Sequence, residues 1–163
     1  MSISIKILDR ASLPAALQVV TRSFSTVAEE FGLTRENCPG NTAFIRLEDL
    51  ERDYDGGNQM FGLYASEQLA SFAELSPKGD GIYMVQRLST LPPYRHRGYG
   101  GVLLRHCMDT AAMLGGKAVE VGIIDENVRL KNWYIQHGFI TVGTERHEGL
   151  PFTVGRLARS LTV

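Results

Sequence analysis

The sequence predicts a mixed α/β fold with one sheet and helices on both of its faces. Short segments of alternating polarity, typical of strands, are interspersed with longer segments whose apolar residues recur at helical spacing. Clusters of glycine and proline separate these segments. The resulting order, β-α-α-β-β-β-α-β-α-β-β, is that of a single sheet covered by helices.

The N-terminal half is predicted to contain four strands and two helices. Residues 3–8 alternate like a strand, and Asp9 to Ser12 offers caps for a helix from about Leu13 to Phe24. Residues 26–41 are less regular and end in a loop of turn residues. A short helix follows at 47–54, then strands at 60–65, 68–75 and 82–91, with turns at 66–67 and 77–81.

The C-terminal half is predicted to contain two helices and three strands. Apolar positions from Gly98 to Leu114 recur at helical spacing, and Gly115-Gly116 ends that helix. A second helix, ended by Gly138, has one face marked by Leu130, Trp133, Tyr134 and His137. Strands are predicted at 118–124, 139–145 and 152–157.

Composition narrows the class of protein. The chain has 163 residues, 44% hydrophobic and 21% charged, which suits one soluble domain over residues 1–163. Its net charge of −1 provides no field that would attract nucleic acid or an anionic membrane. No apolar run approaches a membrane-spanning length, and the N-terminus lacks signal-peptide features. Cys38 and Cys107 lack zinc-ligand spacing, so we expect no metal site. Two cysteines so far apart fit a reducing, cytoplasmic setting.

The most informative segment is Arg95-His96-Arg97-Gly98-Tyr99-Gly100-Gly101, at a strand-to-helix junction. Its glycines allow a ligand to approach the backbone closely, and amides at a helix N-terminus form an anion site. Two known phosphate loops are excluded. A P-loop would end in Gly-Lys-Ser/Thr, and a dinucleotide fingerprint would need glycine where Leu103 stands. A phosphate site and a plain tight turn with solvated arginines both remain open.

Two motifs resemble those of the GNAT superfamily of N-acetyltransferases, as seen in its small bacterial members. Arg95-x-x-Gly98-x-Gly100 resembles the acetyl-CoA signature of that family at the same strand-to-helix junction. Asn127-x-x-Leu130-x-x-Trp133-Tyr134-x-x-x-Gly138-Phe139 resembles a second family signature, with Leu130 in an alanine position. The resemblance implies a mostly antiparallel sheet whose two central strands splay apart.

The resemblance also implies acetyl-CoA as co-substrate, with pantetheine between strands 82–91 and 118–124. Backbone groups of the first strand would pair with pantetheine, and the amides of the glycine turn would hold the pyrophosphate. The residues implied in cofactor binding are Leu88, Ser89, Thr90, Arg95, His96, Arg97, Gly98, Tyr99, Gly100, Gly101, Asn127 and Trp133.

Tyr134 matches the family tyrosine that protonates the departing thiolate. Direct attack by an amine on the thioester expels a thiolate, which leaves more easily when an acid protonates it. A tyrosine on an apolar helix face is also a common core residue, so both roles stay open. Asn127 could be the N-cap of its helix, a cofactor ligand, or both.

The general base is where the sequence departs from the family. Relatives often have a glutamate at the position matched by Gln86, and an amide cannot accept the proton. A water could relay the proton to another carboxylate, the amine could arrive neutral, or catalysis could be impaired. Glu74 and Glu120, on the two flanking strands, are the candidate carboxylates. The alternative is that each faces solvent from its strand.

The sequence therefore predicts an acetyl-CoA-dependent N-acetyltransferase that acts on the primary amine of a small molecule or peptide. An acetyl-CoA-binding sensor with little catalysis is the alternative that Gln86 motivates. A third class is a structural role through the final hairpin, for instance in a homodimer. Segment 26–57 is expected to shape the acceptor pocket.

Overall fold

The computed structural model describes residues 2–161 and has the predicted order of strands and helices. Three short 3-10 turns, at 10–12, 42–44 and 92–94, supplement that order. The strands are β1 (Ile3–Ile7), β2 (Gln59–Ala65), β3 (Gln68–Gly79), β4 (Ile82–Thr90), β5 (Ala118–Ile124), β6 (Ile140–Arg146) and β7 (Thr153–Ser160). The helices are α1 (Leu13–Glu30), α2 (Leu47–Asp55), α3 (Tyr99–Met113) and α4 (Val128–Gln136).

All seven strands form one mixed sheet in the order β1-β2-β3-β4-β5-β7-β6. Every neighbouring pair is antiparallel except β4 and β5, which run parallel. The parallel ladder joins only Ile82 to Ala118, Tyr83 to Val119 and Met84 to Glu120. Beyond Met84 the two central strands separate, so the predicted splay is confirmed.

Two apolar clusters cover opposite faces of the sheet. On one face α1 and α2 contribute residues such as Val20 and Leu50, which pack with Phe72 of β3. On the other face α3 and α4 contribute residues such as Leu104 and Tyr134. Successive residues of a strand point to opposite faces, so each strand supplies both clusters. Within residues 2–161 there is no helix long and apolar enough to cross a membrane.

Helix α1 is longer than its sequence predicted, since it continues from Phe24 to Glu30. Serine and threonine often favour turns because their hydroxyls compete for backbone groups. Here those hydroxyls bond to carbonyls of the preceding helical turn: Ser25 to Thr21 at 2.6 Å and Thr26 to Ser23 at 2.8 Å. The polar segment therefore stays helical.

Strand β3 is also longer than predicted, because the expected turn at 77–81 begins only after Gly79. Pro77 lies within the strand and pairs with Tyr83 of β4. The ladder between β2 and β3 ends at Leu75, so β3 has a free edge where Pro77 stands. A proline without an amide hydrogen is tolerated at such an edge.

A bulge interrupts β4 just where it leaves β5. Phe72 is opposite Ser89 and Glu74 is opposite Gln86, so β4 has one more residue than β3 between those pairs. Within the bulge Arg87 has a φ of +54°, in the left-handed region that side-chain-bearing residues rarely adopt.

Candidate active site

The loop between β4 and α3 is shaped to receive an anion. Gly98 is the N-cap of the 15-residue helix α3 and has a φ of +81°. His96, two residues earlier, has a φ of +65°. No N-cap side chain bonds to the first amides of α3, and nothing lies within 4 Å of the position for a Cβ on Gly98. The helix amides and the positive end of the helix dipole are therefore available to a ligand.

The two arginines of this loop hold its shape in different ways. Arg95 is half-buried and donates from Nε to the carbonyl of Thr90 at 3.2 Å and from Nη2 to the carbonyl of Ser23 at 3.0 Å. Burial lowers the pKa of Arg95. Arg97 is exposed and lies over the ring of Tyr94, 5.5 Å from its centroid. Arg95 thus ties the end of β4 to α1, while Arg97 stays at the surface.

The other glycines of the motif allow α4 to pack against the start of α3. A Cβ at Gly101 would lie 2.9 Å from Nε2 of His137, and one at Gly100 would lie 3.7 Å from the ring of Trp133. The ring centroids of Trp133 and His137 are 4.1 Å apart. Tyr99 is buried in the core. Sequence reasoning had assigned these glycines to the ligand alone and missed the contact with His137.

Strand β4 presents an open edge beside this loop. Its ladder with β5 ends at Met84 and Glu120, although β4 continues to Thr90. Leu88, Ser89 and Thr90 all lie on the open part of the strand. Backbone groups along such an edge have no partner strand and can pair with an amide-bearing ligand.

Tyr134 lies on α4, on the same face of the sheet as α3, and Asn127 directly precedes this helix. Tyr134 is buried among aromatic rings, with its centroid 5.0 Å from Trp133 and 5.3 Å from Phe139. Burial raises the pKa of Tyr134, and the nearby Cys107 raises it further, so the hydroxyl keeps its proton. Asn127 is the N-cap of α4 and accepts from the amide of Leu130 at 3.2 Å. Its predicted capping role is confirmed.

Glu74 is fully buried, with 0% of its surface exposed, so the alternative that it faces solvent is wrong. One oxygen, Oε1, accepts from Nη1 of Arg87 at 2.8 Å, and the other accepts from Nδ2 of Asn58 at 2.7 Å. The same Nη1 of Arg87 also donates to Asp53 of α2. Burial raises the pKa of Glu74 to about 7, with Asp53 adding to the rise and Asn58 and Arg87 opposing it.

Glu120 is also buried, which again contradicts the solvent-facing alternative, but it borders a cavity. Its Oε1 accepts from Nζ of Lys78 at 3.1 Å and from Nη2 of Arg156 at 3.4 Å. Arg156 also donates to Glu145 at 3.0 Å. The cavity measures about 300 Å³ and is lined by Lys78, Met84, Glu120, Val121, Gly122, Glu145, Val154 and Arg156.

Glu120 and Tyr134 lie on opposite faces of the sheet. Val119 and Val121 point into the core under α3 and α4, where Tyr134 lies. Glu120, between them, points to the other face because strand residues alternate. Gln86, directly opposite Glu74 on β4, is not ionisable, and its Oε1 lies 3.4 Å from the hydroxyl of Ser76.

Several site residues were not found from the sequence. Asn58 and Arg87 hold Glu74, while Lys78 and Arg156 hold Glu120, and each pair of contacts spans different elements. A charged residue in a strand gives no sign of which distant partner it meets. The local sequence shows only that the polar pair Gln86-Arg87 follows four largely apolar residues, 82–85.

A helix start capped by glycine and the open edge of a strand lie next to each other at the point where two parallel strands splay apart. The model of the acetyltransferase (GNAT) family matches residues 25–139, and the chain belongs to this family. It is an N-acetyltransferase with acetyl-CoA as its co-substrate. No curated protein matches the chain.

Solved structures share the fold at low sequence identity. The ribosomal-protein-S18-alanine N-acetyltransferase of Escherichia coli superposes with a TM-score of 0.80 at 17% identity, covering 99% of this chain and 96% of that one. The PaiA N-acetyltransferase of Thermoplasma acidophilum, in complex with coenzyme A, gives 0.75 at 19%, covering 98% and 99%. The yncA protein of Salmonella typhimurium, with its cofactor acetyl-CoA, gives 0.74 at 14%, covering 100% and 96%.

The residues present fit acetyl-CoA. The amides at the start of α3 and the open space at Gly98 suit a pyrophosphate, and the open edge of β4 suits the amides of pantetheine. Among residues 2–161, no group of three histidine, cysteine, aspartate or glutamate side chains is arranged to hold a metal ion.

Proposed function

We propose that this protein transfers the acetyl group of acetyl-CoA to the primary amine of a small molecule or peptide by direct attack. In this proposal Glu120 takes the proton of the amine and Tyr134 donates a proton to the departing sulfur. The observation that carries the proposal is the gap that opens at Met84 and Glu120. A carboxylate at a cavity lies where the β4–β5 ladder ends, and a buried, protonated tyrosine lies in the core on the opposite face of the sheet.

Glu120 fits the role of general base better than Glu74 does. A base must come within hydrogen-bond reach of the proton that it removes, directly or through one water. Glu74 is sealed, and both of its oxygens accept hydrogen bonds from protein groups. Glu120 lies at the wall of the cavity, so an amine that binds in the cavity lies next to its carboxylate. Gln86 therefore does not leave the site without a carboxylate.

The cavity beside Glu120 is our proposed acceptor pocket. It lies on the face of the sheet opposite α3 and α4, so an amine would enter from one side and the thioester from the other. A volume of about 300 Å³ suits a small amine or the end of a peptide. Two cations and two carboxylates line it, so the pocket carries no net charge of its own. We place the reaction in the cytoplasm, in keeping with two free cysteines that are both buried.

The proposal is tested with a panel of amines and peptides, measured by release of the free thiol of coenzyme A. We expect amine-dependent thiol release from at least one class, and mass spectrometry should show a gain of one acetyl group on that amine. Tight binding of acetyl-CoA without thiol release on any amine would favour the sensor alternative. If calorimetry detects no binding of acetyl-CoA, the acetyl-CoA site proposed at β4 and α3 is wrong.

The acid is tested by Tyr134→Phe. Loss of the hydroxyl should lower kcat by about 100-fold, because protonation of the leaving thiolate is lost, while acetyl-CoA affinity stays within about twofold. Tyr83→Phe is the matched control, since Tyr83 packs on the same core but lies in the paired part of β4. Equal kcat values for the two variants would remove Tyr134 from the mechanism.

A further inference from the structure

Arg87 has an unusual backbone conformation for its place in the fold. Four non-glycine residues of the described chain have a positive φ, and three of them, Ser66, Asp80 and His96, lie in turns or loops. Arg87 is the one that lies within a strand. Such a conformation is disfavoured for a residue with a Cβ, and it persists only where surrounding contacts hold it.

The contacts that hold Arg87 come from two other elements. Its Nη1 donates to Glu74 of β3 and to Asp53 of α2, so a single nitrogen joins two carboxylates. Glu74 is held in turn by Asn58, in the segment between α2 and β2. The side chains of Arg87 and Asp53 are 20% and 26% exposed, so both ion pairs are largely shielded from solvent.

The position of Arg87 matters because of what precedes and follows it. Three residues before it, Met84 makes the last pair with β5. Directly after it, Leu88 to Thr90 form the open edge that is proposed to pair with pantetheine. The bulge therefore sets the direction in which the open edge leaves the sheet. Contacts that hold the bulge also hold that edge.

We propose that Arg87, Glu74 and Asp53 form a charge lock that holds the β4 bulge, and with it the open β4 edge, in the shape that binds acetyl-CoA. Glu74 is then a positioning residue, which acts on the co-substrate through Arg87 and the backbone of β4. The lock also connects α2 to the open edge, because Asp53 lies on α2. The identity of the ligand rests on the proposed function, whereas the effect on the backbone of β4 does not.

Two variants separate the lock from ordinary stabilisation. Glu74→Gln keeps the shape of the side chain and removes its charge. Arg87→Gly removes the guanidinium, and glycine adopts a positive φ without strain. This variant therefore loses the ion pairs while its backbone can keep the same conformation. Leu69→Ala is the control, because Leu69 is buried near the other end of β3 and its loss lowers stability without touching the lock.

The first measurement is acetyl-CoA affinity by calorimetry, at a temperature where every variant is folded. We expect the dissociation constant to rise about tenfold in Glu74→Gln and in Arg87→Gly, with kcat at saturating acetyl-CoA within about threefold of the wild type. The Leu69→Ala variant should lose thermal stability but keep its affinity. If all three variants lose thermal stability and none loses affinity, the cluster is merely structural and the proposal is overturned.

The second measurement is amide hydrogen exchange in the free protein, which is independent of any ligand. The amides of residues 87–90 should exchange at least tenfold faster in the two lock variants and at the wild-type rate in Leu69→Ala. Unchanged exchange there would overturn the lock even if acetyl-CoA binds. Faster exchange in a protein that binds no acetyl-CoA would support the lock and contradict the proposed function instead.

Discussion

Glu74 and Glu120 lie on the same face of the sheet, on the two strands that flank β4, yet their surroundings differ. Glu74 is fully buried, and its two oxygens accept from Arg87 and Asn58. Glu120 accepts from Lys78 and Arg156 on one oxygen and borders a cavity of about 300 Å³. The first carboxylate is enclosed by the protein, and the second is within reach of a small molecule.

This difference in access is the basis of the two different roles that we propose for these carboxylates. Burial raises the pKa of Glu74 to about 7, a value that would suit a general base at neutral pH. A shifted pKa without access to substrate nevertheless points to structure rather than to chemistry. Structural ion-pair networks perturb pKa values as active sites do, so geometry has to decide between them.

The largest expected effect is that of Glu120→Gln. Removal of the proposed base should lower kcat by at least about 100-fold and leave acetyl-CoA affinity unchanged, since Glu120 lies on the acceptor side of the gap. Steady-state thiol release and calorimetry measure the two quantities. Glu74→Gln should show the opposite pattern, with weaker acetyl-CoA binding and a nearly normal kcat. If the two patterns are exchanged, the roles assigned to the two carboxylates are wrong.

A smaller effect is expected from Gly122→Val, which fills the cavity beside Glu120. Gly122 is exposed on β5, and nothing lies within 4 Å of the position for its Cβ. Valine favours strands, so the free energy of unfolding should stay equal or rise by up to about 1 kcal/mol. The KM of the acceptor should rise about tenfold, while acetyl-CoA affinity stays unchanged.

The control for this variant is Gly143→Val on β6. A Cβ at Gly143 also meets nothing within 4 Å, and Gly143 does not line the cavity. We expect thermal stability similar to that of Gly122→Val and an unchanged acceptor KM. An equal KM in both variants would show that the acceptor binds elsewhere.

A pH dependence of stability is also expected from Glu74, which lies beside Asp53. Its pKa is about 7 in the folded protein and near 4.5 in the unfolded chain, so the folded state binds more protons between these values. The stabilising contribution is complete below about pH 4.5 and is lost as the pH rises through about 7, with a slope of at most about 1.4 kcal/mol per pH unit. Denaturant unfolding gives the free energy of unfolding at each pH for the wild type and for Glu74→Gln. Across this window the value for the wild type should fall relative to that of Glu74→Gln, because glutamine does not titrate. Parallel curves would contradict the raised pKa.

Much of the fold could be predicted from the sequence because local patterns determine it. Alternating strands, the glycine that ends α4 and the glycine-rich start of α3 are all encoded within a few residues of each other. The two largest errors in the predicted boundaries, at the ends of α1 and β3, depended on surroundings instead. The hydroxyls of Ser25 and Thr26 bond within α1, and Pro77 is tolerated because β2 has ended beside it.

The candidate site was predictable only where it is local. The glycine cap at Gly98 and the asparagine cap at Asn127 each lie at a helix start, so spacing in the sequence reveals them. The burial of Glu74 depends on Asp53 and Asn58, which precede it by about twenty residues, and on Arg87 across the sheet. No periodic pattern in the sequence indicates these contacts. For both carboxylates, the sequence therefore left two roles open, that of a general base and that of a solvent-exposed strand residue.

The short parallel ladder has a mechanical consequence. The sheet consists of two leaves, one of four strands and one of three, and only three residue pairs of β4 and β5 join their backbones. A ligand that pairs with the open edge of β4 behaves as a partial extra strand at the seam between the leaves. Its binding energy then adds to the cohesion of the sheet, so a saturating co-substrate stiffens the seam as well as occupying a site.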